Sequence, residues 1–317
     1  MSERLWDVVA LGEAMVEFNQ TRAGEPHYRQ GFGGDTSNAI IAAARAGART
    51  AYLTRLGADE FGHSLRTLWA QEQVDTHAVS EDTAAATGIY FVSHGPSGHA
   101  FSYLRAHSAA SRMTPAWLHG APTQCISQAQ WLHVSGISMA ISSSACDTAL
   151  EAMALARSAG TQVSFDANLR LKLWPLARAQ ACIRQAIGLC DVFLPSYDDM
   201  VTLTGLSDAN AIVDWSHAQG ARQVVLKLGA EGAIVSTAPG ANHPASRSTV
   251  AGHRVQAVDA TGAGDCFSGN LLARLAAGDS LAVAARYANA AAALTVQGFG
   301  AVASLPQAAA VRASGLL

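Results

Sequence analysis

The sequence has little charge and almost no lysine. Only 14% of its 317 residues are charged, the formal net charge is −3, and the 21 basic residues include just two lysines, Lys172 and Lys227. Proteins that follow a nucleic acid neutralise its phosphates with clustered lysine and arginine. Nothing in this sequence resembles such a basic patch, so we expect no nucleic-acid partner.

Cysteine is scarce, and long apolar runs are absent. The five cysteines form an odd number with no C-x-x-C pair, which argues against a disulfide framework and against a zinc knuckle. No uncharged apolar stretch reads as a membrane span, and the first residues lack the charged-then-apolar pattern of a signal peptide. We therefore expect a cytoplasmic protein without a membrane partner.

Several common catalytic motifs are also missing. The sequence contains no P-loop motif, no H-E-x-x-H and no G-x-S-x-G, so P-loop, zinc-protease and α/β-hydrolase functions have no support. A G-x-G-x-x-A pattern at Gly298–Ala303 resembles a dinucleotide-binding motif. It follows a helix instead of a strand, however, and no acidic residue occurs after Asp279 to hold a ribose. We predict a packing turn there.

Half of the sequence is hydrophobic, and strand-like segments alternate with helix-like ones. Short β-rich runs, several of them nearly continuous in apolar residues, predict strands over Trp6–Leu11, Thr50–Arg55, Trp131–Ser135, Gln162–Asp166, Val192–Leu194, Arg222–Lys227 and Gly232–Ser236. Apolar positions at helical spacing predict helices over Thr36–Ala46, Glu60–Gln71, Ser142–Ser158 and Ala177–Gly188. This alternation predicts an α/β fold with a mostly parallel central sheet flanked by helices, in one domain of residues 1–317.

Two stretches break the alternation. Ala14–Gln30 has no helical period, and Thr87–Arg105 contains two alternating runs around the turn Gly95-Pro96-Ser97-Gly98. They predict a small extra sheet, a lid of about residues 14–32 and 87–107 over the carboxyl ends of the main strands. Exposed lid strands would invite pairing between subunits, so we expect a homo-oligomer.

The segment VDATGAGD, residues 258–265, is followed by a predicted helix. Glycines at such a place let successive backbone N–H groups point at one spot, where the helix N-terminus adds its positive end. Such a cradle would bind an anion, and Asp265 at its rim could accept a proton from a hydroxyl group. A glycine turn with Asp265 as a plain helix N-cap fits the same residues. The residues alone leave both interpretations open.

Four other segments carry candidate polar groups. The first, GGDTSN at residues 33–38, offers Asn38, which could equally be a polar residue in the first turn of a helix. DANLR at residues 166–170 lies beyond a predicted strand, where open α/β sheets place their ligands, although an Asx turn would explain Asp166. In PSYDD, residues 195–199, two acids could cap the next helix. Residues 224–232 read as strand, turn and strand, with Lys227 at the end of the first strand.

The glycine segments at residues 33–38 and 258–265 resemble the two signature regions of the ribokinase-like sugar kinases of the phosphofructokinase-B type. The resemblance spans the whole chain and implies a ribokinase-like fold, with ATP and magnesium as cofactors. It implies an anion hole at Gly262, Ala263 and Gly264, with Asp265 as the catalytic base. It also implies sugar-binding groups at Gly34 and Asn38.

The same resemblance assigns a nucleotide pocket. The implied nucleotide-binding residues are Asn168, Ser196, Lys227, Gly229, Gly232, Gly262, Gly264 and Asn289. The family's Asn-x-x-Glu segment, which helps to position magnesium through water, is replaced here by Ser196 and Asp199; Asp199 keeps the carboxylate that a hard cation prefers. A polar place on the solvent face of its helix would explain Asn289 as well. The resemblance also leaves room for a monovalent cation near the anion hole.

The alternating pattern of residues 100–105 helps to predict the class of substrate. Phe101, Tyr103 and Arg105 would share one face of the lid, with Tyr90 on the partner run. An arginine among aromatic rings suits a planar carboxylate, and Arg170 approaches the same site.

The string Tyr103-Leu104-Arg105 followed by Ser108-Ala109-Ala110 resembles 2-keto-3-deoxygluconate kinases. The predicted sugar-binding residues are Gly34, Asn38, Tyr90, Tyr103, Arg105, Ile137, Arg170 and Asp265. We therefore predict an ATP-dependent kinase for the terminal hydroxyl group of this sugar acid. The alternatives are a fructokinase-like kinase for neutral sugars, a non-catalytic sugar-acid sensor and a dehydrogenase.

Overall fold

The computed structural model describes residues 4–95, 98–240 and 244–317. Its strands are β1 (Trp6–Leu11), β2 (Met15–Gln20), β3 (Tyr28–Gly33), β4 (Thr50–Leu53), β5 (Arg55–Gly57), β6 (Val74–Asp75), β7 (Ser80–Asp82), β8 (Ile89–Gly95), β9 (Gly98–Leu104), β10 (Ala129–Ser135), β11 (Gln162–Asp166), β12 (Val192–Phe193), β13 (Gln223–Lys227), β14 (Gly232–Thr237) and β15 (Ser246–Ala251). Its helices are α1 (Asp35–Arg45), α2 (Glu60–Gln71), α3 (Ala121–Ser127), α4 (Gly136–Ala140), α5 (Ser143–Ser158), α6 (Leu176–Leu189), α7 (Tyr197–Thr204), α8 (Ala209–Ala218), α9 (Ala263–Ala276), α10 (Leu281–Thr295) and α11 (Ala308–Ala313). None of the helices in these ranges is long and apolar enough to span a membrane.

Nine strands form the central sheet, in the order β15-β14-β13-β12-β11-β10-β1-β4-β6. The pairs from β13 through to β6 are parallel, and only β14 and β15 join antiparallel. This arrangement confirms the predicted α/β fold with a mostly parallel sheet. Parallel strands bring their carboxyl ends to one edge of the sheet, so the loops that follow β1, β10, β11 and β13 meet there.

The core lies on both faces of this sheet. In β1, Val9 and Leu11 pack into an apolar cluster with α5 and α6, whereas Val8 and Ala10 pack into a second cluster with α1, α9 and α10. Successive side chains of a strand point to opposite faces, so one short apolar run serves both layers. The predicted packing turn at Gly298–Ala303 is a turn region after α10, as expected.

A separate four-stranded sheet, in the order β3-β2-β8-β9, covers the carboxyl edge of the central sheet; we call it the lid sheet. It confirms the predicted small extra sheet, although Pro96 and Ser97 of the predicted turn lie outside the described residues. Elsewhere the predicted strand Thr50–Arg55 is wrong, because it divides into β4 and β5, and β5 leaves the central sheet to pair with β7. Strand β15 escaped prediction because its side chains are mostly polar and exposed.

Candidate active site

A cleft of about 1410 Å³ lies between the lid sheet and the carboxyl edge of the central sheet. It brings together most of the residues that sequence reasoning selected, from segments far apart in the chain. Those that line it are Gly34, Asn38, Tyr90, Tyr103, Arg105, Ile137, Asn168, Arg170, Ser196, Asp199, Lys227, Gly229, Gly262, Gly264 and Asp265. Ala263, Gly232 and Asn289 do not line the cleft.

The glycine segment at residues 262–265, which we call the cradle, begins helix α9. Gly262 is the N-cap residue, with a left-handed φ of 78° that a residue with a side chain rarely adopts. The N–H of Ala263 donates to the carbonyl oxygen of Ala260 (3.2 Å), so Ala263 does not offer its amide to a ligand. The N–H groups of Gly264 and Asp265 have no acceptor among the described residues. Two free amides at the positive end of a 14-residue helix form an anion site.

Asp265 lies half-buried in the first turn of α9, at the rim of the cradle. Its Oδ2 accepts a hydrogen bond from Nδ2 of Asn38 (2.8 Å), and its carboxylate caps no helix, so the N-cap interpretation is wrong. Burial and, to a lesser extent, the charge of Asp35 raise the pKa of Asp265 to about 7, although the Asn38 hydrogen bond opposes the rise. A carboxylate with this pKa can accept a proton near neutral pH.

Lys227 stands beside the cradle and is held by an acid. Its Nζ donates to Oδ2 of Asp166 (2.5 Å), and a Cβ added to Gly264 would lie 3.7 Å from that Nζ. Asp166 also forms the predicted Asx turn, because its Oδ1 accepts from the N–H of Asn168 (3.3 Å). Nδ2 of Asn168 donates in turn to Oδ2 of Asp35 (2.9 Å), which joins this turn to the start of α1. An ammonium group paired with Asp166 therefore flanks the two free amides.

Ser196 and Asp199 have defined roles at the start of α7. Ser196 is the N-cap, since its hydroxyl oxygen accepts from the N–H of Asp199 (3.2 Å). The cap is thus the serine and not the acid pair. The Asp199 carboxylate accepts from the N–H of Leu169 (3.1 Å), and burial raises its pKa. The described residues contain no group of three or more His, Cys, Asp or Glu side chains that could hold a metal ion.

The lid end of the cleft carries the aromatic residues. Tyr103 stacks on Tyr90 (ring centroids 5.6 Å apart) and on Phe101 (6.3 Å), and the Arg105 guanidinium lies 5.9 Å from the centre of the Tyr103 ring. The predicted shared face of Phe101, Tyr103 and Arg105 is therefore confirmed. The hydroxyl of Tyr90 donates to Oε2 of Glu17 (2.5 Å), so Tyr90 is anchored within the lid sheet.

The two arginines expected at the sugar differ in their partners. Arg105 forms an ion pair with Glu13, whose side chain is only 1% exposed. Arg170 is exposed, donates to the carbonyl oxygen of Leu169 (2.8 Å) and has no carboxylate within ion-pair distance among the described residues. Sequence reasoning missed Glu13, although it follows β1 just as Asp166 ends β11. Its place beyond a parallel strand is the signal that could have found it.

Asn289 and Gly232 lie away from the cleft. Nδ2 of Asn289 donates to the carbonyl oxygens of Val250 (3.4 Å) and Ala251 (3.1 Å), so this buried amide ties α10 to β15. Asn289 is buried, so the alternative of a polar residue on the solvent face of its helix is wrong, and the implied contact with a nucleotide stays a prediction. Gly232 opens β14 behind the turn that follows Lys227.

Comparison with known proteins adds independent findings. A family model described as pfkB family carbohydrate kinase matches residues 6–308. The chain is 33% identical to a probable fructokinase-4 of Arabidopsis thaliana, over 94% of this chain and 93% of that protein. It is also 33% identical to a 2-dehydro-3-deoxygluconokinase of Bacillus subtilis (strain 168), over 95% of this chain and 92% of that protein.

Among solved structures, a fructokinase double mutant from Vibrio cholerae O395, with fructose, ADP and a potassium ion bound, has the same fold. It shares 30% identity with this chain, its TM-score is 0.85, and the match covers 99% of both chains. Sugar kinases named for an acid and for a neutral sugar thus match this chain about equally well.

Proposed function

Because the chain belongs to the pfkB family of carbohydrate kinases, we propose that it phosphorylates the terminal hydroxyl group of 2-keto-3-deoxygluconate, also named 2-dehydro-3-deoxygluconate, with ATP. The observation that carries this choice is the presence of Arg105, Tyr103 and Arg170 in the same cleft as Asp265. Two guanidinium groups beside aromatic rings suit a small planar carboxylate.

In the proposed reaction, Asp265 accepts the proton of the sugar hydroxyl group. The hydroxyl oxygen then forms a bond to the γ-phosphorus of ATP, and the bond between that phosphorus and the β–γ bridging oxygen breaks to leave ADP. The free amides of Gly264 and Asp265 would stabilise the charge on the transferring group, and the Lys227 ammonium group, which Asp166 holds in place, would offer further N–H donors beside them. Asn38 holds the Asp265 carboxylate at its Oδ2.

The cleft suits a nucleotide on the side of the cradle. A Cβ placed on Gly229 would meet no atom within 4 Å, so the backbone there leaves space for a ligand. The two N–H groups of the cradle could bind a phosphate group of that ligand. Magnesium would be bound mainly by the nucleotide's phosphates, with Asp199 acting through water, because no protein cluster in the described residues replaces those ligands. Magnesium would neutralise charge on the phosphates. The monovalent cation stays a prediction.

One observation favours a second candidate, a kinase for neutral sugars such as fructose. Glu13 already compensates the charge of Arg105, so an anionic substrate is not needed to balance this guanidinium. The exposed Arg170, free of any carboxylate partner in the described part of the chain, supports the sugar acid instead.

A coupled assay of ADP release separates these candidates. The panel contains 2-keto-3-deoxygluconate, its galactose-derived epimer, D-gluconate, D-fructose and D-ribose, each with and without magnesium. We expect the highest kcat/KM for a 2-keto-3-deoxy sugar acid and no turnover without magnesium. A higher kcat/KM for fructose would assign the protein to the neutral-sugar kinases, and no ADP release with any sugar would favour a binding protein.

We also propose a homo-oligomer formed through the lid sheet. Among the described residues no further strand pairs with its outer strands β3 and β9, and Tyr28 on β3 and Leu104 on β9 are large exposed side chains. Sedimentation velocity should show a dimer or larger species, which Leu104→Asp weakens. A monomer at every concentration would refute this assembly.

A further inference from the structure

Glu13 sits where the lid sheet joins the central sheet. The chain passes between the two sheets after β1, after β3, before β8 and after β9. Glu13 occupies the first crossing, its backbone oxygen would lie 2.4 Å from a Cβ added to Gly34, and its Oε1 would lie 2.9 Å from a Cβ added to Gly88. Its carboxylate accepts a hydrogen bond from Ser108 and forms an ion pair with Arg105. Glu13 therefore lies in one crossing and contacts residues of the other three.

The ion pair lies in a place with little water. The Glu13 side chain is 1% exposed and that of Arg105 is 10% exposed, and both residues line the cleft. Arg105 is the only cationic group within ion-pair distance of Glu13 among the described residues, and its guanidinium group lies against Oε2 of Glu13. The charged form of each residue depends on the charge of the other, because either one alone would be an uncompensated charge in a poorly hydrated site.

Because of this ion pair, the cleft offers the hydrogen-bond donors of the Arg105 guanidinium group to a ligand, but the pair carries no net positive charge. A substrate carboxylate beside Arg105 would meet both the attraction of Arg105 and the repulsion of Glu13. A neutral sugar would meet the same donors without either effect. The balance between acid and neutral sugars therefore depends on the pair and not on Arg105 alone.

We propose that Glu13 is a specificity-determining residue that lowers the preference of the cleft for acidic sugars by compensating the charge of Arg105. The choice of 2-keto-3-deoxygluconate as the acid rests on the proposed function. The effect of Glu13 on the ratio of acid to neutral affinity does not, since it follows from the charges in the cleft.

The test is a double-mutant cycle with Glu13→Gln, Arg105→Gln and the double variant. Isothermal titration calorimetry gives the Kd of 2-keto-3-deoxygluconate and of D-fructose for each protein, with competition titration for weak binding. We expect Glu13→Gln to raise the ratio of acid to neutral affinity by about tenfold, because it removes the negative charge that compensates Arg105. Arg105→Gln should lower this ratio by a similar factor, and the double variant should return it to within about threefold of wild type.

Glu17→Gln is the matched control, because Glu17 is a second buried acid of the lid region that pairs with Tyr90 instead of an arginine. It should change the affinity for both sugars alike and leave their ratio unchanged. Glu13→Asp, which keeps the charge, should stay near the wild-type ratio. A ratio that does not move in Glu13→Gln, or that moves equally in Glu17→Gln, would overturn the proposal.

The cycle also decides the matter if Glu13→Gln alone does not fold. Arg105→Gln and the double variant then remain, and the proposal predicts that removing Glu13 recovers the acid-to-neutral ratio by about tenfold. No recovery would contradict it. If wild type binds fructose more tightly than the acid, the proposed function is overturned but the role of Glu13 is not. The proposed function depends on the wild-type ratio of the two affinities, whereas the role of Glu13 depends on the change of that ratio between variants.

Discussion

The two ends of the cleft are built by different means. At the cradle, the anion site consists of two backbone N–H groups, Gly264 and Asp265, at the start of one helix. At the lid end, the walls are side chains fixed by partners from other segments, such as Arg105 by Glu13 and Tyr90 by Glu17. The cradle thus depends on local chain conformation, and the lid end depends on pairs of distant side chains.

Because of this difference, we expect the cradle to determine the rate of phosphoryl transfer and the lid end to determine which sugar is bound. Backbone amides bind any phosphoryl group, so the cradle can serve a kinase for an acidic or a neutral sugar without change. The lid end can change its preference through one charged pair. Variants at the cradle should therefore affect turnover of every substrate, whereas variants at the lid end should alter the ratio between substrates.

The largest effect is expected for Asp265→Asn. The amide keeps the size of the carboxylate but cannot take a proton, so kcat should fall by about 10²–10⁴-fold for all sugars while sugar binding is retained. Steady-state kinetics and calorimetry on the same preparation measure both quantities. Asp147→Asn, on the exposed face of α5, is the control and should keep its activity. Near-normal turnover of Asp265→Asn would show that Asp265 is not the base.

The pH profile gives the next largest effect. Asp265 must be ionised to accept a proton, and burial raises its pKa to about 7. Below that pH, kcat/KM should fall about tenfold per unit, to about one hundredth of its plateau at pH 5. Measurement at saturating magnesium–ATP between pH 5 and 9 tests this. A profile that stays flat down to pH 5 would contradict the assignment.

Asn38→Ala should move this profile. The Asn38 amide donates to Asp265 and holds the pKa of that carboxyl down, so its loss should raise the pKa and shift the acid limb of kcat/KM to higher pH. At pH 8 the loss of activity should be about tenfold or less, since one hydrogen bond is removed. Asn210→Ala, at an exposed site on α8, should leave the limb in place. A shift to lower pH would contradict the described contact.

Amide hydrogen exchange in the lid sheet should slow when sugar binds and should not slow when nucleotide alone binds. Closure over a bound sugar would exclude the water that competes for the phosphoryl group, so amide hydrogen exchange in residues 15–33 and 89–95 should slow when 2-keto-3-deoxygluconate is added. The edge strand β15 provides an internal reference and should exchange as before. Unchanged exchange across the lid sheet at saturating sugar would show that this sheet does not close.

The sequence predicts the parts of this structure that depend on short segments. Near-continuous apolar runs identify β1 and β13, and the cradle lies within four consecutive residues that require a glycine turn before a helix. Contacts between distant segments could not be read in the same way. Asn38 and Asp265 are 227 residues apart, and Asn168 and Asp35 are 133 apart. Such pairs depend on the order of the strands in the central sheet and on how the chain crosses between the two sheets. No local sequence pattern specifies either of these.

Glu13 illustrates the same limit. Its position after a strand marks it as a candidate, but its effect comes from Arg105, which follows β9 and reaches Glu13 only in the folded chain. The resemblance to known kinases supplied the predicted roles of Asp265 and Asn38, which no single segment specifies. It also implied a nucleotide contact for Asn289, whose side-chain amide donates to backbone carbonyl groups of Val250 and Ala251.

The central claim is that the pair of Arg105 and Glu13 at the lid end sets the preference between acidic and neutral sugars, with Arg105 favouring the acid. Its most direct test is kcat/KM for 2-keto-3-deoxygluconate and D-fructose in wild type and in Arg105→Leu, with the exposed Arg222→Leu as control. We predict that wild type prefers the acid, and that Arg105→Leu loses at least about tenfold more activity on the acid than on fructose. An equal loss on both sugars, or a wild-type preference for fructose, would contradict the claim.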